Sequence, residues 1–167
     1  MNYHNITCPD MNNGDGLRVV LWLSGCSHHC KGCQNPQTWN PNSGILFDLQ
    51  AENELFNDLF LNYISGITFS GGDPLYINNR NEVLRLCEKI RNIFNQSKTI
   101  WIYTGYTFEE IISNDTMYNI IKLSNVLIDG KYQEDLRNIE LPWVGSSNQR
   151  VIDVQKTLEN KEIVLWS

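Results

Sequence analysis

Apolar residues along this chain fall in short dense runs separated by glycine-bearing turns. Arg18 to Ser24 (RVVLWLS) is β-branched and aromatic, ends at Gly25, and predicts a buried strand. Ile67 to Ser70, Thr99 to Tyr103 and Val126 to Ile128 repeat the pattern, ending at Gly71-Gly72-Asp73-Pro74, Thr104-Gly105 and Asp129-Gly130. Between these runs the spacing changes to that of a helix. Leu55, Phe56, Leu59, Phe60 and Tyr63 predict a helix over residues 52–64. Val83, Leu84, Leu86, Cys87, Ile90 and Phe94 predict a second, with Asn79 as its cap. Phe108 to Ile112 and Thr116 to Leu123 read as helical pieces divided by Asn114-Asp115. Residues 25–44 form a polar loop, 131–155 an irregular region, and 162–166 a terminal strand.

Strand–helix alternation predicts an α/β fold: a parallel sheet with flanking helices and right-handed crossovers. Ligands of such sheets gather at the carboxyl ends of the strands. Every unusual loop of the chain follows a strand and so falls at that rim. The expectation is therefore a single domain over residues 1–167 with one site at its rim.

Composition narrows the function classes. Hydrophobic residues make up 41% and aromatic residues 11% of the 167, enough to build a core and too much for a disordered chain. A net charge of −6 and a pI near 5.0 argue against a nucleic-acid binder that works by neutralising phosphates. The longest apolar run, Val19 to Leu23, is far short of the roughly 20 residues that cross a bilayer. Met1 leads into no basic-then-apolar leader, so a cytoplasmic location without membrane partners is expected.

The five cysteines supply the chemistry. Three of them, Cys26, Cys30 and Cys33, lie on one loop with C-x3-C-x2-C spacing, unlike the spread, even-numbered cysteines of a disulfide framework. Three thiolates so placed suit three corners of a cubane iron–sulfur cluster and leave the fourth iron open. They also suit a structural zinc ion, with His28, His29 or Cys8 as a fourth ligand, although no second cysteine–histidine pair follows downstream. Cys87 lies on a predicted apolar helix face as a small core residue, Cys8 reads as a loop thiol, and His28 and His29 read as solvated positions between ligands.

Cysteines in this spacing after a first strand, followed by Gly-Gly-Asp-Pro after a second, resemble the radical S-adenosylmethionine (SAM) superfamily. The stretches SGCSHHCKGCQNPQTW, TFSGGDPLY, IWIYTGY, LIDGKY and GSSNQRVID narrow the resemblance. In order and spacing they are similar to the activating components of anaerobic ribonucleoside-triphosphate reductases. This likeness spans residues 5–153. It implies a short partial (β/α) barrel of radical SAM type, with Cys26, Cys30 and Cys33 holding a 4Fe–4S cluster. It places Gly32, Cys33 and Gln34 beside SAM and has Gly71, Gly72 and Asp73 line its methionine end. Thr104 and Tyr106 would contact the ribose or adenine of SAM, Asp129 would be a polar residue of the SAM-binding rim, and Asn148, Gln149 and Arg150 would face SAM or the partner. Many superfamily members carry Glu where Asp73 stands and an aromatic residue where Gly32 stands; Gly is usual in the narrower family.

The activity implied is reductive cleavage of SAM, the resulting 5′-deoxyadenosyl radical generating a glycyl radical on the large reductase subunit. Its partners would be that subunit and a one-electron donor of flavodoxin or ferredoxin type. The rival readings are an activase of another glycyl-radical enzyme, such as pyruvate formate-lyase, and a non-enzymatic zinc-binding module.

Overall fold

A computed structural model describes residues 1–167, whose strands join into one seven-stranded sheet. The strands are β1 (Asn2–Asp10), β2 (Arg18–Leu23), β3 (Ile45–Leu46), β4 (Gly66–Gly71), β5 (Thr99–Tyr103), β6 (Val126–Asp129) and β7 (Arg150–Asp153). They lie in the order β3-β1-β2-β4-β5-β6-β7. The helices are α1 (Leu49–Leu59), α2 (Arg80–Phe94), α3 (Phe108–Ile111), α4 (Asp115–Leu123) and α5 (Val154–Asn160). No helix is long and apolar enough to cross a membrane.

The four strands read from the sequence, β2, β4, β5 and β6, are parallel neighbours. The expectation of a wholly parallel sheet is corrected at both edges. β1 runs antiparallel to β2, β3 antiparallel to β1, and β7 antiparallel to β6. Edge pairing of this kind hydrogen-bonds the flanks of the parallel centre, and antiparallel strands need no crossover helix. The region expected to be irregular thus contains β7 and the start of α5. Asp153 ends β7 and caps α5, accepting from the Lys156 N–H at 3.1 Å. The expected strand at 162–166 reduces to a bridge between Leu165 and Ile152.

Helix starts follow their caps. α1 begins earlier than its apolar spacing suggests because Asp48 accepts from the Ala51 N–H at 3.0 Å. It also ends earlier, leaving Phe60 and Tyr63 exposed. Thr107 and Glu110 form a reciprocal capping box on α3, and Asn114 caps α4.

Side chains alternate across the strands, so each sheet face can be read from the register. One face carries Val19, Leu21, Leu23, Ile67, Phe69, Ile100, Ile102, Leu127 and Ile152. These merge with the buried residues of all five helices into one core cluster of 27. The other face carries Trp101, Val126 and Ile128, which pack with Trp143 and Trp166 and with no helical residue. All helices therefore cover one face only, unlike those of a doubly wound sheet.

At the amino ends of the strands the helix-free face is closed by Arg18, which is fully buried. Its five N–H donors reach Thr68 Oγ1, Thr99 Oγ1 and the carbonyls of Asp15, Ile67 and Thr99. The guanidinium also lies over the Trp101 ring at 5.1 Å. Burial lowers its pKa to about 10, yet no carboxylate pairs with it; five hydrogen bonds replace lost water. The opposite end of the same face is left to the cavity.

Candidate functional site

At the carboxyl ends of the parallel strands a cavity of about 500 Å³ opens on the helix-free face. Cys26, Cys30, Cys33 and Gln34 line it from the loop after β2, and Gly71, Gly72 and Asp73 from the turn after β4. Thr104 lines it after β5. Loops 31 or more residues apart in sequence thus meet at one rim, where the sheet topology requires them to meet.

The cysteine loop is held at its start. Gly25 N–H donates to the Thr38 carbonyl at 2.7 Å and Cys26 N–H to the Trp39 carbonyl at 3.1 Å, both at the 3-10 turn Pro36–Thr38. The Cys33 N–H closes a turn on the Cys30 carbonyl at 3.1 Å. All five cysteines are free thiols; the three of the loop are half-buried. Burial pushes Cys26 up to about 11, opposed by backbone N–H groups of His28 and His29. Cys30 is pushed up for the same reason, against a Tyr132 N–H. Desolvated thiols of this kind ionise when a cation takes the place of solvent, so they suit a metal-bearing group. No three Cys, His, Asp or Glu side chains are gathered tightly enough to hold a single metal ion.

Asp73 is 1% exposed and its carboxylate is crowded with donors. Leu75 N–H donates to Oδ1 at 2.7 Å, Gly105 N–H to Oδ2 at 3.0 Å, and the Thr104 hydroxyl lies 2.9 Å from both oxygens. His28 Nε2 lies 2.7 Å from Oδ2. The expectation that His28 is a solvated loop residue is thereby corrected. Its side chain is 7% exposed, because the Cys26–Cys30 span folds inward to meet Asp73. His29, in a left-handed conformation, is exposed and lies against Trp39.

Gly72 packs against the cysteine loop itself. A Cβ there would stand 2.5 Å from the Gly25 carbonyl oxygen, so absence of a side chain lets the two loops touch. Gly32 lies on the outer side of its loop, where a Cβ would meet Glu134, the partner of Lys31 at 3.2 Å. Asp129 sits below the rim, buried, and accepts from the Phe108 N–H at 2.8 Å and from Arg150 Nε at 2.9 Å. Arg150 also grips Glu109, whose pKa it holds below the usual carboxylate range. This trio ties β6, β7 and the start of α3 together.

Most of the remaining wall lies outside the sequence reading. Trp22, Ser70 and Tyr103 face the cavity from successive strands, and Asn12 and Asn13 approach from the turn after β1. Tyr132, Trp143, Val144 and Gly145 close the far side. Gln149 also lines the cavity; its amide accepts from Gly145 N–H at 2.9 Å and donates to the Gly130 carbonyl at 3.0 Å. Alternation along the strands would have found Trp22, Ser70 and Tyr103, since they share the face opposite the apolar core.

Comparison with known proteins now bears on this site. The profile of the 4Fe–4S single cluster domain family matches residues 12–152, which contain all three loop cysteines. The anaerobic ribonucleoside-triphosphate reductase-activating protein of enterobacteria phage T4 is 44% identical over 151 residues, 90% of this chain and 93% of its own. That of Escherichia coli K12 is 44% identical over 153 residues, covering 90% and 97%. The chain belongs to this family of activating proteins. A more distant member, from Vibrio cholerae, is still 38% identical over 151 residues, covering 89% and 96%. Family membership brings an iron–sulfur cluster domain to the residues around the cavity. The donor set fits such a group: three free thiols on one loop and a cavity large enough for more than a lone ion.

Proposed function

We propose that this protein activates an anaerobic ribonucleotide reductase through a 4Fe–4S cluster and SAM, on a short partial barrel of the radical SAM type. The observation that carries the reading is the sharing of one cavity by three free thiols and the Gly71-Gly72-Asp73 turn. A cluster and SAM bound there would supply one-electron cleavage of the sulfonium to methionine and a 5′-deoxyadenosyl radical able to take a hydrogen atom from a glycine of the reductase.

Cys26, Cys30 and Cys33 would hold the cluster, with SAM beside it in the same cavity. Gly71 and Gly72 give the methionine end of SAM a wall without side chains. Asp73 contributes negative charge near the ammonium group, while its oxygens stay occupied by Thr104, Leu75, Gly105 and His28. Thr104 fixes that carboxylate. Gly32 and Gln34 set the shape of the loop beside SAM, and Asp129, through Arg150, fixes the rim. The aromatic wall of Trp22, Tyr103, Tyr132 and Trp143 keeps water from a radical formed within it. Being open on one side, the cavity suits a loop of a large protein as substrate. A flavodoxin- or ferredoxin-like donor supplies the electron, and the setting is cytoplasmic.

Anaerobic reconstitution with iron and sulfide tests the reading. About four irons per chain, with a reduced-cluster electron paramagnetic resonance signal that changes on adding SAM, are expected. A colourless protein that binds zinc and ignores SAM would overturn it.

A further inference from the structure

Between Cys26 and Cys30 lie Ser27, His28 and His29, and only the middle one turns inward. Its imidazole meets three surfaces at once. Nε2 lies 2.7 Å from Asp73 Oδ2; a carboxylate only accepts, so Nε2 is the donor. The ring stands edge-on to Tyr106, centroids 4.6 Å apart at 74°. It also lies on the bare Cα of Gly105, where an added Cβ would fall 2.4 Å from His28 Cδ2.

Other residues hold this socket without help from His28. Asp73 is fixed by Leu75 N–H, the Thr104 hydroxyl and Gly105 N–H. Tyr106 lies under the Arg80 guanidinium at 5.7 Å, and its carbonyl accepts from Gly130 N–H at 3.1 Å. The turns after β4 and β5 therefore form a preset receptacle, and the cysteine loop carries the one side chain that fills it. Elsewhere in that span Ser27 is exposed, and His29, also exposed, makes only a tilted ring contact with Trp39.

We propose that His28 is a positioning residue whose insertion between Asp73, Gly105 and Tyr106 fixes the Cys26–Cys30 span, presenting both thiols to the cavity. The proposal rests on the reading of these cysteines as cluster ligands. It gives the Thr104-Gly105-Tyr106 turn a definite task, with Gly105 small because the imidazole occupies the space of its side chain.

Hydrogen–deuterium exchange of the iron-free protein and chelator-driven iron loss from the reconstituted protein test it together. The variants are H28A, which removes the key, and G105A, which fills the lock while leaving every polar group of the loop in place. H28Q offers an amide at the reach of Nε2, and S27A is the control. In H28A and G105A, exchange over residues 26–33 and iron loss should each rise about tenfold, with α2 unchanged. H28Q should recover most of both, and S27A should match the wild type. Wild-type behaviour in H28A and G105A would overturn the proposal, as would faster exchange spread evenly over the chain. If the wild type takes up no iron, the cluster reading fails, and the exchange arm alone decides the socket.

Discussion

Asn79 donates its side-chain amide to the Ser24 carbonyl at 2.8 Å and to the Asp73 carbonyl at 3.0 Å. It joins the end of β2, just before the cysteine loop, to the turn after β4. Sequence spacing assigns Asn79 to capping α2. It does stand at the capping position just before Arg80, but its side chain makes no capping bond and crosses between the two loops instead. Asn79 is 1% exposed, so neither carbonyl has water to replace it. We predict that N79A destabilises the iron-free protein by about 2 kcal/mol, the loss of two buried hydrogen bonds, measured by urea unfolding. A change within experimental error would mean that the two loops are held together elsewhere.

Acid should loosen the junction of α1 and α2. Glu52 receives Arg85 Nη2 and Lys89 Nζ, each at 2.5 Å, and these cations hold its carboxyl below the usual carboxylate range. A group whose folded pKa is depressed stabilises the fold above its unfolded pKa. That contribution is lost as the pH falls through the folded value. Unfolding stability should therefore decline in acid below about pH 4.5, and E52Q should show a shallower decline over the same window. An E52Q curve parallel to the wild type would contradict the assignment.

Each loop cysteine should be indispensable for the cluster. C26A, C30A and C33A should each lose the iron and sulfide of the reconstituted protein, because no spare thiol lines the cavity. Cys8 and Cys87 lie elsewhere, so C8A and C87A should keep both, with C87A losing about 1 kcal/mol for a small void at a fully buried site. Iron and sulfide analysis reads all five variants.

At Gly72 the first atoms an added methyl meets are those of Gly25, one residue before Cys26. The G72A substitution should displace the cysteine loop, lowering iron uptake together with the response to SAM. Full iron uptake with only the SAM response lost would mean that the cysteine loop tolerates the methyl and that Gly72 matters to SAM alone.

The sequence disclosed those parts of the molecule whose signals are local. β2, β4, β5 and β6 are apolar runs closed by glycine turns, and cysteine spacing needs no tertiary knowledge. β1 does not stand out in the sequence because Asn2, His4, Asn5 and Thr7 give a strand too polar to read as one. β7 was missed because four residues become a strand only by pairing with β6. Within the site, the thiols and the Gly-Gly-Asp turn were legible. The His28 contact was not, for it joins residues 45 apart and depends on Gly105 lacking a side chain. Likewise the aromatic wall depends on which sheet face the helices leave bare.

The most direct test of the central claim is electron paramagnetic resonance of a mixture prepared without oxygen. It would contain the reconstituted protein, a one-electron reductant, SAM and the large subunit of an anaerobic ribonucleotide reductase. A glycyl radical on the large subunit should appear, with 5′-deoxyadenosine formed alongside it, and alanine in place of the target glycine should remove the radical. Cleavage of SAM with no radical on the large subunit, together with a radical on pyruvate formate-lyase when that enzyme is supplied in its place, would contradict the account.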